Sequence, residues 1–187
     1  QSPHRYKEDD YSPLLDNTLW TAISYGFEPP IIASLYHNDA DTIIGGKVYR
    51  VIKKDIINID DATFFSHDNE KTYLYEDKQN KRIYAYDKYS NQDMLLYDFS
   101  LQVGEKLPGD SSYTILSITK MAHEGYTRKY FSFVNASSDT IQWIEGIGNY
   151  TDLIHPNAIK HSDVTRILCV HKNDEAVYDT GNFLGKT

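Results

Sequence analysis

Apolar and aromatic residues recur at every second position along most of this chain, and short turn sequences separate the alternating segments. No segment keeps the roughly 3.6-residue spacing of an amphipathic helix over three turns. Short links force neighbouring strands to run antiparallel, because parallel pairs need long crossovers. We therefore predict an all-β fold, an antiparallel meander of about nine or more strands. Such a meander protects its edges by closing into a barrel or by folding over into a sandwich, and we favour a closed or partly open barrel.

The clearest local unit is a hairpin over residues 42–51. Two β-rich arms flank the pair Gly45-Gly46, which supplies the positive φ angles of a tight turn. Residues 72–77 and 82–87 form two further arms around a polar turn. Side chains alternate along a strand, so this second pair of arms places tyrosines side by side on its surface. These tyrosines are Tyr73 and Tyr75 on one arm, and Tyr84 and Tyr86 on the other.

Length and charge limit the classes of protein. The 187 residues suffice for one domain with a core, since a chain of this size buries roughly 70% of its surface on folding. We interpret residues 1–18, with two prolines and several charges, as an N-terminal tether and residues 19–187 as a single β domain. The formal charge of −8 repels nucleic-acid phosphates, so no nucleic-acid partner is expected. No run of about 18 apolar residues occurs, so no transmembrane segment is expected.

Several short motifs occur in a fixed order. They include Leu-Leu-Tyr-Asp-Phe at 95–99 followed by Val-Gly-Glu at 103–105, and Trp-Ile-Glu-Gly-Ile-Gly at 143–148. In this order the chain resembles an uncharacterised β-rich module of secreted and surface proteins, lipoproteins among them, of Bacteroidetes-type bacteria. One departure is Tyr75, where the module commonly has Arg. The resemblance implies an exported, periplasmic or cell-surface protein for which a lipid anchor is one means of attachment, and it transfers no catalytic residue.

The one compositional excess is sixteen tyrosines. Tyrosine offers a large contact area at low entropic cost, so an exposed row of tyrosines is suited to stacking on sugar rings or to anchoring a protein. We therefore predict a non-catalytic binding or structural module of the cell envelope, with a glycan or an envelope protein as partner. Its oligomeric state is left open. The predicted binding residues are Tyr73, Tyr75, Tyr84, Tyr86 and Trp143.

Two alternative functions remain open. Glu145 lies close to Trp143 in an apolar setting that would raise the pKa of a general acid, and with Asp98 as second carboxylate it suggests a glycan or peptide hydrolase. In the opposite interpretation Trp143 anchors the core, Gly146 and Gly148 shape a bend, and Glu145 accepts hydrogen bonds from backbone amides. The other alternative is a small-ligand carrier, which requires a closed barrel with a partly unfilled interior.

Other motifs are few. The chain has no Gly-x-Ser-x-Gly elbow, no phosphate-binding loop and no dinucleotide fingerprint, and none of its seven histidines has the spacing of paired metal ligands. Neither a cofactor nor a metal is therefore expected. The tripeptide Asp-Thr-Ile occurs twice and resembles the O-glycosylation acceptor of exported proteins in the same bacteria. Thr42 and Thr140 are thus candidate attachment points.

Overall fold

The computed structural model describes residues 11–24, 32–58, 64–123, 126–157 and 165–179. These ranges are all-β, with thirteen strands and no helix, and so none that is long and apolar enough to cross a membrane. The strands are β1 (Thr18–Ser24), β2 (Ile32–Ile44), β3 (Lys47–Asn58), β4 (Phe64–Asp77), β5 (Arg82–Asp87), β6 (Gln92–Asp98), β7 (Lys106–Leu107), β8 (Asp110–His123), β9 (Tyr126–Val134), β10 (Thr140–Ile144), β11 (Gly148–Asn149), β12 (Thr165–Lys172) and β13 (Glu175–Asp179).

Eight strands form the larger sheet, in the order β13-β12-β1-β2-β3-β4-β5-β6. The first six strands of the chain follow one another as a meander. β12 then returns along the free edge of β1, where Thr18 lies opposite Lys172. This sheet curls into half a barrel. The prediction of an all-β, antiparallel fold with nine or more strands is confirmed.

The other five strands form a separate, open sheet in the order β11-β10-β9-β8-β7. The chain leaves the larger sheet at Asp98, and a loop leads to Lys106 at the start of β7. Of the predicted closed or partly open barrel, the closed form is therefore wrong, since one sheet is a curled half-barrel and the other is open. Closure would need β6 to pair with the far edge of its own sheet, whereas the meander stops at β6 and a second sheet begins.

Local turn chemistry produces the predicted hairpins. Gly45 and Gly46 connect β2 to β3 with φ angles of 57° and 81°, the left-handed values that glycine adopts at low cost. Four residues connect β4 to β5, and the resulting register places Tyr75 opposite Tyr84. Both hairpins are therefore confirmed.

The inner faces of the two sheets share one hydrophobic core. Its centre is aromatic, since the ring of Trp143 lies 4.9 Å from Tyr97 of the larger sheet and 4.7 Å from Phe133 of its own sheet. The Tyr97 hydroxyl donates to the carbonyl of Leu153 at 2.6 Å and accepts from the amide of Asn149 at 3.0 Å, so its polar end is satisfied. The largest fully buried side chains are Trp20, Trp143, Tyr97, Phe99, Phe131, Phe133, Leu14, Leu74, Ile83, Ile115 and Ile141.

Part of the predicted tether belongs to the domain. Residues 1–10 lie outside the described residues, but residues 11–17, which we name the N-terminal strap, pack against both sheets. Leu14 is 0% and Leu15 is 4% exposed, and β1 begins directly after the strap at Thr18. Residue 18 is therefore not a boundary between a free segment and the core.

Candidate functional site

Four tyrosine rings cluster on the outer face of the larger sheet. Leu74 and Ile83, the sequence neighbours of Tyr75 and Tyr84, are 0% exposed and point into the core, so strand alternation directs Tyr75 and Tyr84 outward. Tyr49 packs against Tyr75 and Tyr86 but is itself only 2% exposed. The Tyr75 and Tyr84 ring centroids are 6.2 Å apart, and Tyr49 lies 5.9 Å from Tyr75. We name this set the tyrosine cluster: Tyr49, Tyr75, Tyr84 and Tyr86.

A polar pair holds one side of the tyrosine cluster. The carboxylate of Asp93 accepts one hydrogen bond from Lys47 and one from the hydroxyl of Tyr49, both at 2.6 Å. The Lys47 ammonium also lies 5.3 Å from the centroid of the Tyr75 ring. Burial opposes the charge of Asp93, but the hydrogen bonds from Lys47 and Tyr49 outweigh it and lower the pKa of the carboxyl. Burial and the bond to Asp93 raise the pKa of Tyr49, so its hydroxyl stays protonated at neutral pH.

An open groove of about 420 Å³ lies beside the tyrosine cluster, and we name it the tyrosine groove because Tyr73, Tyr86 and Tyr89 line it. Tyr89, in the turn between β5 and β6, is 86% exposed, and the Lys88 ammonium lies 5.2 Å from the centroid of its ring. Asp87 also lines the groove. Hydrogen bonds from Ser90 and from the Tyr89 amide lower the pKa of Asp87, so its carboxylate is charged at neutral pH. The groove therefore combines aromatic faces with one anionic residue, Asp87, and two cationic residues, Lys71 and Lys88.

The structure brings four of the five predicted binding residues together. Tyr75, Tyr84 and Tyr86 belong to the tyrosine cluster, and Tyr73 lines the groove with Tyr86. Trp143 is not part of this surface, because it is 0% exposed and its indole nitrogen donates to the carbonyl of Pro156 at 2.6 Å. As it lies, Trp143 offers no area to a ligand, and its role is that of a core anchor.

Sequence reasoning missed two tyrosines here, and one of them, Tyr49, is only 2% exposed and so supports its neighbours without offering area to a ligand. Tyr49 joins the tyrosine cluster from β3, and Tyr89 lines the groove from a turn. The signal for Tyr89 was present, since a tyrosine within a polar turn has no core to enter. The sequence around Tyr49 gave no such signal, because alternation along a strand does not show which other strand lies beside it.

The two carboxylates of the hydrolase alternative are held by structural contacts. Asp98 pairs with Arg82 at 2.8 Å and accepts hydrogen bonds from the amide and hydroxyl of Ser100 at 2.9 and 2.5 Å. Glu145 is 3% exposed, and its Oε1 accepts the amide of Ser12 at 3.1 Å, a backbone contact of the kind that the structural interpretation predicts. Burial raises the pKa of Glu145. Neither carboxylate lines the tyrosine groove.

The bend after β10 follows the structural interpretation of its two glycines. Gly146 and Gly148 have φ angles of 76° and 106°, and Glu145 between them and β10 is turned toward the N-terminal strap. The small-ligand carrier required a closed barrel, and that condition is not met.

The two candidate acceptor threonines lie on different sheets. Thr42 is half-buried on β2 opposite Tyr49, and Thr140 is exposed at the first position of β10 opposite Val134. Across the described ranges, no group of three or more His, Cys, Asp or Glu side chains lies close enough to hold a metal ion.

No protein-family model matches the chain, and no curated protein or solved structure compared with it does so either. The resemblance to the bacterial surface module therefore stays a prediction from the motifs alone.

Proposed function

We propose that this chain is a non-catalytic carbohydrate-binding module that takes an oligosaccharide in the tyrosine groove. One observation supports the proposal most: Tyr73, Tyr86 and Tyr89 line one open groove together with Asp87 and Lys88. The apolar C–H faces of a sugar ring stack on aromatic rings, and sugar hydroxyls both donate to carboxylates and accept from ammonium groups. A volume of about 420 Å³ lies in the range of roughly 300–1,000 Å³ that is common for small-ligand sites.

The groove is supported from beneath, which favours binding without rearrangement. The Tyr86 ring contacts Tyr49 at 5.7 Å, and its hydroxyl donates to Asn91 at 2.9 Å. A ring fixed in this way loses little conformational entropy when a ligand stacks on it. Tyr89, by contrast, is 86% exposed.

The proposal includes a location in the cell envelope of a bacterium, where glycans are abundant. Its support is the motif resemblance together with the surface tyrosines. Detection of the native protein in periplasmic or surface fractions would agree with this location, and detection in the cytosol alone would contradict it.

A glycan array probed with the full 187-residue chain tests the function. The informative variant is the double replacement Tyr73→Ala with Tyr89→Ala, and Leu116→Ala on β8, which removes a side chain 65% exposed in the other sheet, is the control. We expect binding by the wild type and by the control, and loss of binding by the double variant with an unchanged circular dichroism spectrum. Binding that survives the double replacement, or silence across the array, would contradict the proposal.

A further inference from the structure

A second cleft lies where the two sheets meet, and it shares no lining residue with the tyrosine groove. Its volume is about 430 Å³. The turn between β4 and β5 forms one wall, the loop after β6 forms another, and β8 and β9 close the third side. Leu101, Val103 and Ile118 give it an apolar lining, with Phe99 and Phe131 of the core beneath.

Three cations surround this apolar lining: Lys81, Arg82 and Lys129. Arg82 is neutralised by Asp98 at 2.8 Å. Neither Lys81 nor Lys129 has a carboxylate oxygen within 4.0 Å of its ammonium in the described part of the chain. In a chain of net charge −8, this cleft therefore has two lysines that form no ion pair with a described carboxylate.

Two carboxylates near the cleft are engaged in other contacts. Glu145 attracts both lysines electrostatically, but it is 3% exposed and its Oε1 accepts the Ser12 amide. Glu105, beside the loop after β6, binds the amide of Gln102 with its Oε2 at 2.6 Å. Neither carboxylate lines the cleft, so neither takes up the space beside Lys81 and Lys129 within it.

The backbone of Lys81 is held in a costly conformation. Its φ angle is 58°, in the left-handed region that glycine adopts far more easily than lysine. The carbonyl of Lys81 accepts the amide of Phe99 at 2.9 Å, which fixes the turn against the loop that forms the opposite wall. Non-glycine residues in such conformations persist where the surrounding structure holds them, and they cluster at functional sites.

We propose that this cleft binds a small organic carboxylate with an apolar body. The carboxylate lies between the ammonium groups of Lys81 and Lys129, and the apolar body lies along Leu101, Val103 and Ile118. Charge-assisted hydrogen bonds from two lysines select the anionic head, and burial of the body supplies affinity. The net charge of −8 repels a polyanion more strongly than it repels a ligand with a single negative charge.

Isothermal titration calorimetry of the full chain with three probes of equal length tests the proposal. The probes are octanoate, 1-octanol and octylammonium, which share an apolar body and differ in the charge of the head. We expect octanoate to bind at roughly millimolar concentration or below, with 1-octanol at least about tenfold weaker and octylammonium weaker still. Equal binding of octanoate and octanol, or no binding of octanoate, would overturn the proposal.

Two variants locate the site. Lys81→Gln and Lys129→Gln each replace one ammonium by a neutral polar amide, and Lys106→Gln on β7, an exposed lysine outside the cleft, is the matched control. We expect octanoate to bind each cleft variant about five- to tenfold more weakly, and the control as tightly as the wild type. Near-ultraviolet circular dichroism checks that each variant is folded. Octanoate affinity unchanged in both folded cleft variants would place any binding elsewhere and overturn the assignment.

Discussion

The amide of Leu14 donates a hydrogen bond to the carboxylate of Glu76 at 2.6 Å, across 62 residues of sequence. The same carboxylate accepts the amide of Leu15 at 3.1 Å and the hydroxyl of Tyr11 at 2.7 Å. In the bend after β10 of the other sheet, Glu145 accepts the amide of Ser12. The carboxylates of Glu76 and Glu145 therefore fix the N-terminal strap. They accept hydrogen bonds from strap amides that have no partner in a β-sheet.

Replacement of Glu76 should release the strap. In Glu76→Ala three donors lose their acceptor, and we expect the free energy of unfolding to fall by about 2 to 4 kcal/mol. Urea denaturation measures the change. Glu105→Ala is the control, since that exposed carboxylate accepts the amide of Gln102 in a surface loop, and we expect a clearly smaller effect. Equal losses in the two variants would show that the contacts of Glu76 with the strap add nothing.

Alanine substitutions at two glycines can measure the cost of backbone strain apart from the cost of steric contact. A Cβ at Gly146 would lie 2.6 Å from both the Arg128 guanidinium and the Ser12 hydroxyl, whereas a Cβ at Gly109 would have nothing within 4 Å. Both residues have positive φ, at 76° and 80°. We expect Gly109→Ala to cost about 1 kcal/mol from strain alone, and Gly146→Ala about 2 to 4 kcal/mol because the strap must also shift.

Thermal and urea unfolding of the two alanine variants provide the measurement. A loss in Gly146→Ala no greater than that in Gly109→Ala would mean that the strap yields to the added methyl without cost.

The hairpins and the tyrosine row were predictable because their determinants are local. Gly45-Gly46 fixes its turn, and a four-residue turn after β4 fixes the register of Tyr75 against Tyr84. The split into two sheets was not predictable. The alternation of apolar and polar residues shows which face of a strand is buried, but it does not show which other strand pairs with it. The pairing of Thr18 with Lys172 closes a loop that spans nearly the whole chain, and no local pattern encodes it.

The same reason limits prediction of the sites. Tyr73 and Tyr86 were expected on one surface because their arms are neighbours in sequence, whereas Lys81 and Lys129 meet only when the two sheets pack together. Trp143 was predicted both as a binding residue and as a core anchor, since a tryptophan on an alternating strand fits either role. Burial decided between them, and burial depends on the second sheet.

Two groove tyrosines should separate binding from stability. Tyr89 is 86% exposed, so Tyr89→Ala should weaken glycan binding and leave the free energy of unfolding within about 0.5 kcal/mol of the wild type. Tyr86 packs against Tyr49 and donates to Asn91, so Tyr86→Ala should lower both binding and stability. Array titration paired with urea denaturation distinguishes the two. Stability lost equally in both variants would contradict the exposed placement of Tyr89.

A buried lysine gives the strap a link to pH. Lys172 at the end of β12 is 8% exposed and donates to the carbonyl of Pro13. Burial lowers the pKa of its ammonium from 10.5 to about 7, and the positive charge of Arg128 adds to this, while Glu76 and Asp16 act in the opposite direction. Near neutral pH the folded protein therefore holds this amine partly uncharged.

Stability should rise as the pH is raised from about 7 toward 9, and Lys172→Met should remove that contribution. In the unfolded chain the lysine keeps its ordinary pKa and binds a proton that the folded amine has already lost, so folding is favoured as protons become scarce. We expect Lys172 to add about 2 kcal/mol to the free energy of unfolding over this pH interval. The interval ends at about pH 9 because tyrosines of the unfolded chain ionise above it. Burial raises the pKa of Tyr11 and Tyr97 in the folded state, so their ionisation would add a second pH dependence. Urea denaturation gives the free energy of unfolding of the wild type and of the variant at both pH values. The contributions of the histidines and of Cys169 cancel when the two proteins are compared, because both contain these residues. Parallel pH profiles for the two proteins would show that the amine of Lys172 is charged in the folded state throughout.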